Sequence, residues 1–186
     1  MRLLWIIATI LGTCARFSAG YLTGTRLAQS PGQDATRQEL LKQLVATKAV
    51  IETGVALDEF RASDKNVQTA LELAANRLND DQSQAARQAL HAISQTVAAW
   101  DETFTKCHAG RDGYVWLGDF ARNGSENPNC NDKKLEDIYG NMGVLSALKK
   151  WSENPVLTLA PKRGTLLQPL FSVSLDRIQF AINSLQ

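Results

Sequence analysis

The stretch Asp81–Lys106 reads DQSQAARQALHAISQTVAAWDETFTK. Ala86, Leu90, Ile93, Val97, Trp100 and Phe104, followed by Cys107, recur at alternating steps of four and three, which places them on one stripe of an α-helix. A helix of this length spans about 39 Å. Asp81 with Gln84 has the spacing of a capping box at its start. Lys106 and His108 suit the unsatisfied carbonyls at its other end, and Gly110 suits a left-handed cap.

The same periodicity extends in both directions. Thr36 with Glu39 caps a first helix that carries Leu40, Leu44, Thr47, Ile51 and Val55 to about Phe60, with Gly54 inside it. Ser63 or Asp64 caps a second helix with Val67, Leu71, Ala74 and Leu78, ending at Asn79-Asp80. A fourth helix starts near Asp132 and carries Leu135, Ile138, Met142, Leu145 and Leu148, with Trp151 near its end. Gly140 and Gly143 inside it read as points of close packing against a neighbour. Asn154-Pro155 breaks the pattern, and Val156 to Arg163 reads as an extended connection. A last helix carries Phe171, Leu175, Ile178, Ile182 and Leu185, with Pro169 in its first turn. No convincing alternating strand occurs, so the fold class is all-α, an antiparallel bundle of four to five helices over residues 34–186. Leu57, Phe60 and Phe180 fall where they either extend the core or form a homodimer seam.

Ahead of the bundle, the first 33 residues hold Arg2, Arg16 and Arg26 and no acidic residue. Leu3 to Ala15 is an apolar run behind one cation, the pattern of a secretory signal occupying residues 1–20, with 21–33 as a linker. As a helix the run spans about 20 Å, against roughly 30 Å of bilayer hydrocarbon. Ala15 and Gly20 are the candidate cleavage positions. Two rival readings attach the chain to a membrane. An uncleaved anchor over residues 3–22 reaches about 30 Å. Leu11-Gly12-Thr13-Cys14 resembles the lipobox of bacterial lipoproteins, with threonine in place of a smaller residue, and that resemblance implies a lipid on Cys14. A mitochondrial transit peptide shares the acid-free, arginine-containing composition but is amphipathic where this run is continuously apolar.

At 186 residues, 44% hydrophobic and 21% charged, the chain suits one domain with a full core. A formal net charge of +1 with basic residues only in pairs argues against nucleic-acid binding. Beyond Cys14 only Cys107 and Cys130 remain, an even number suited to one disulfide in an oxidising compartment. Such a bridge closes a loop of about two dozen residues, worth roughly 3 kcal/mol in the chain-entropy account.

Catalytic chemistry finds few footholds. His91 and His108 lack partners at metal-ligand spacing, and no C-x-x-C, nucleophile elbow, phosphate loop or H-E-x-x-H occurs. No metal or other cofactor is expected. Asn127, Asn129, Asn131, Asp132 and Glu136 lack the glycine and acidic alternation of a calcium loop. Asn123-Gly124-Ser125 is a glycosylation sequon. Asp101, Glu102, Asp112, Asp119 and Glu126 supply carboxylates for an alternative reading, a small-ligand or hydrolytic protein with a pocket at the loop end of the third helix.

The loop itself is the more specific signal. Tyr114, Val115, Trp116, Leu117 and Phe120, flanked by Arg111 and Arg122, are the residue types that dominate protein-binding hot spots. They either cap the bundle or form a recognition surface. The expected function is a non-enzymatic, exported protein of the cell envelope, periplasmic or anchored facing outward. It binds a protein partner through Arg111, Tyr114, Trp116, Leu117, Phe120 and Arg122, in the manner of an assembly subunit, an inhibitor or an immunity protein.

Overall fold

A computed structural model describes residues 31–54, 56–103, 132–152 and 163–186, which are helical apart from short turns and contain no strand. Contacts divide the chain after Ala35, and the bundle is the unit Thr36–Gln186. Among the described residues there are six helices, against the four to five expected: α1 (Pro31–Thr53), α2 (Leu57–Ala74), α3 (Asp80–Asp101), α4 (Asp132–Asn141), α5 (Leu145–Ser152) and α6 (Arg163–Leu185). A 3-10 turn, Ala75–Arg77, follows α2. The expected signal or anchor, Cys14, both loop cysteines, the aromatic loop and most of the connection expected over 156–163 lie outside the described residues. No described helix is long and apolar enough to cross a membrane.

Glycines account for a moved boundary and for the one extra helix. Gly54 was expected inside the first helix, yet it adopts φ +82° and donates to Ile51 O, a left-handed stop that ends α1 and lets α2 begin at Leu57. Gly140 and Gly143 were expected to mark close packing. Among the described residues nothing lies within 4 Å of a Cβ built at either position, so no described neighbour needs them small. Instead Gly143 takes φ +74°, Val144 N–H bonds Tyr139 O at 2.9 Å and Gly143 N–H bonds Gly140 O at 3.0 Å. That pair of bonds is a Schellman stop, and it separates α4 from α5.

Starts also move. The first helix begins at Pro31, inside the stretch expected as a linker, and Thr36 lies within it. The cap of α3 is Asn79, whose side chain accepts from Gln82 N–H at 2.8 Å while Gln82 Oε1 accepts from Asn79 N–H at 3.3 Å. The capping box is therefore real but two residues earlier than Asp81-Gln84. The last helix starts at Arg163, so Pro169 sits inside it, past the first turn.

Hydrogen bonds fix the directions of the helices. Gln82 reaches Ser184 O, Arg177 reaches Gln88, and Ser174 reaches Ala92 O, so α3 and α6 run antiparallel. Asp64 meets Ser94 and Asp58 and Asp101 both meet Arg61, so α2 and α3 are antiparallel as well. Arg37 reaches the Gln186 carbonyl at 3.5 Å, pairing the start of α1 with the end of α6. The four long helices form an up-down-up-down bundle.

The most extensive backbone contact among described helices is between α3 and α6. Ala85, Ala89, Ala92, Thr96 and Ala99, four and three residues apart, are all buried and none is larger than threonine. At the centre Ser174 donates to Ala92 O at 3.1 Å and lies 2.9 Å from Thr96 Oγ1. Thr96 Oγ1 also has Ala92 O at 2.9 Å and Leu170 O at 3.4 Å as acceptors. Both hydroxyls are buried and both are satisfied, as burial requires.

Two cores flank this pair. Leu40, Leu44, Phe60, Val67 and Leu71 of α1 and α2 pack with Ala86, Ile93, Ile178 and Ile182. On the other side Leu135, Ile138, Tyr139, Met142 and Leu148 pack with Ala92, Ala99, Leu166, Leu167 and Leu170. Phe60 belongs wholly to the core, whereas Phe180 is 57% exposed.

Substitution at the glycines separates the two roles. Gly54→Ala forces a side chain into a left-handed backbone and should destabilise by about 1–2 kcal/mol. Gly140→Ala, in a helix with open space at Cβ, should stabilise by about 0.5–1 kcal/mol. Urea denaturation of the two variants reads the opposite signs directly.

Candidate functional site

The segment carrying the expected site lies in sequence between the end of α3 and the start of α4. Glu102 and Thr103 extend α3 in the wider π geometry, which is rare and recurs at functional positions. The Glu102 carboxylate is fully buried, and Lys134 Nζ lies 3.0 Å from its Oε2 as an ion pair outside hydrogen-bond alignment. Asp101 pairs with Arg61 of α2, which also holds Asp58 at 3.1 Å. Buried pairing matters because an unpaired carboxylate at such a site costs several kcal/mol.

Apolar packing braces the same end. Phe60, Trp100 and Phe171 form a triad with centroids 6.3, 5.6 and 5.5 Å apart, Trp100 meeting Phe171 edge-on. Trp100 and Phe171 touch both cores. The indole Nε1–H of Trp100 is buried and finds no acceptor among the described residues. Tyr139 is fully buried, and its hydroxyl donates to the Leu166 carbonyl, tying α4 to the first turn of α6. Burial pushes the Tyr139 phenol well above the ordinary value of 10.0.

Arg111, Tyr114, Trp116, Leu117, Phe120, Arg122, Cys107 and Cys130 all lie outside the described residues. So do Asp112, Asp119, Glu126 and His108. Asp101 and Glu102, named as candidate carboxylates, are engaged with Arg61 and Lys134. His91 is exposed on α3. Among the described residues no group of three His, Cys, Asp or Glu side chains is placed to hold a metal ion.

A feature that sequence reasoning missed lies on the other half of α3. Because α4 stops at Asn141, it covers the outer α3–α6 face only as far as Ala92 and Val173. Beyond that edge an open cleft of about 600 Å³ is lined by Asp80, Ser83, Gln84, Arg87, Gln88, His91 and Ala92 of α3, Asn141 and Met142, and Val173 and Arg177 of α6. A neighbouring hollow of about 640 Å³ shares Gln84, Gln88 and Arg177 and reaches the exposed Phe180. Arg87 and His91 are one helical turn apart, the one trace of this site in the sequence. Arg177, ninety positions from Arg87, reaches the cleft only through the fold.

Comparisons of the chain with models of protein families, with curated proteins and with solved structures found no match.

The buried phenol makes a pH-dependent prediction. Below pH 10.0 Tyr139 is neutral in both the folded and unfolded chain, so its contribution is complete; above that value only the unfolded chain ionises readily, and stability falls as pH rises. Tyr139→Phe should cost about 1 kcal/mol at neutral pH through the lost Leu166 bond. In chemical denaturation the gap between wild type and variant should narrow above pH 10.0. A gap independent of pH would contradict the assignment.

Proposed function

We propose that this chain is a non-enzymatic, exported protein of the cell envelope whose helical bundle presents the Cys107–Cys130 segment to a protein partner. One observation carries the reading. The described residues that flank the segment, the end of α3 and the start of α4, are held together by the 3.0 Å pair of Glu102 with Lys134. Cys107 lies five residues past Glu102 and Cys130 four before Lys134. An extended residue covers at most about 3.5 Å, so flanks joined in this way leave both cysteines within reach of one disulfide.

Further support comes from the π geometry at the end of α3 and from the Trp100 indole, which lacks an acceptor among the described residues. The segment concentrates Tyr114, Trp116, Leu117 and Phe120 between Arg111 and Arg122, a hot-spot composition. An assembly subunit, an inhibitor or an immunity protein is the kind of protein this reading fits. The apolar run from Leu3 to Ala15 and the lipobox-like Cys14 support export, with or without a retained membrane attachment over residues 3–22.

The test is affinity capture from envelope extract with the full chain as bait, beside Tyr114→Ala and Trp116→Ala. A partner enriched by wild type should be lost from both variants while their melting temperatures stay within a few degrees. Peptide mapping of the same material should find Cys107 linked to Cys130. Undiminished capture, a collapse in stability, or free thiols at both positions would each overturn the proposal.

A further inference from the structure

We infer that the cleft between α3 and α6 is a binding site for a small organic anion with a short apolar body. This site shares no residue with the proposed protein-docking segment. Two guanidinium groups, Arg87 and Arg177, line it from facing helices. Among the described residues neither has a carboxylate within ion-pairing distance, whereas Lys42, Lys48 and Arg61 do. Asp80 is the single acid of the lining.

Arg177 is already oriented. Its Nη1 donates to Gln88 Oε1 at 2.7 Å, which uses one of five donors and leaves the rest of the fork for a ligand. A guanidinium fixed on one edge loses less freedom when a carboxylate or phosphate binds the other. The apolar wall is equally defined. Met142 is buried where α4 ends, and Val173 stands one turn before Arg177 on α6. Cations on one side and an apolar wall on the other match a headgroup attached to a few carbons, and about 600 Å³ falls in the ordinary range for small-molecule sites.

Isothermal titration of the full chain with phenyl phosphate and with benzoate tests this, with inorganic phosphate as the comparison that lacks an apolar body. At least one organic probe should bind with one-to-one saturation. Arg87→Gln and Arg177→Gln should each weaken binding by about tenfold or more, the loss expected of a charge-assisted contact. Arg77→Gln, an exposed cation away from the cleft, should leave affinity unchanged. Far-UV circular dichroism of each variant confirms that the bundle is intact. The inference is overturned by absence of saturable binding up to roughly 10 mM of either organic probe. Equal weakening by Arg77→Gln, or inorganic phosphate binding as tightly as the organic probes, would also overturn it.

Discussion

The close seam between α3 and α6 is the constraint on which the rest of the bundle depends. Alanines at positions 85, 89, 92 and 99 let the two backbones approach, and the approach brings Thr96 and Ser174 within hydrogen-bond distance of each other and of facing carbonyls. Moved apart, Ser174 would lose its bond to Ala92 O and its contact with Thr96, while Thr96 would keep Ala92 O on its own helix, so each crossing bond lost costs about 1 kcal/mol. The crossing bonds therefore favour a close spacing. Both cores are built on it, α1 and α2 against one side and α4 and α5 against the other, and Trp100 and Phe171 belong to both.

This seam was the least legible part of the fold. Helical periodicity in Asp81–Lys106 follows the large side chains, and Leu90, Val97 and Trp100 are indeed packed against the core, but only partly buried. The fully enclosed stripe is made of alanine and threonine, which carry little hydropathy signal. Helix identity was thus readable, and the face with the tightest contact was not. Caps failed for a related reason. Asn79-Gln82 and Asp81-Gln84 have the same spacing and comparable chemistry, so local preference does not choose between them; the bond from Gln82 to Ser184 O on α6 exists only in the folded bundle. At Gly54 and Gly143 the residue type was informative, but its role, stopping a helix rather than admitting a neighbour, depended on backbone conformation.

The two candidate surfaces differ in the same respect. The cysteine-bounded segment stands out in the sequence because Tyr114, Trp116 and Phe120 fall within seven residues. The cleft has no such signature, because Arg87, Asn141 and Arg177 come from three separate helices or helix ends. Its edge is set by one local event: the Schellman turn at Gly143 ends α4, so that among the described residues Asn141 and Met142 form the rim of the cleft on the α3–α6 face. A stop signal in one short helix therefore determines where a cavity opens on two others. At the opposite end, the pairs Glu102–Lys134 and Arg61–Asp101 join three helices.

If the α3–α6 seam governs the fold, it should be the last part of the molecule to open. Native-state hydrogen exchange measures this, since amides released only by global unfolding share its free energy. The slowest amides should lie in Ala89–Ala99 and Leu170–Ile178, with protection equal to the stability found by denaturation, while α1 and α4 exchange through smaller openings. Faster exchange in the seam than in α1 or α4 would contradict the account.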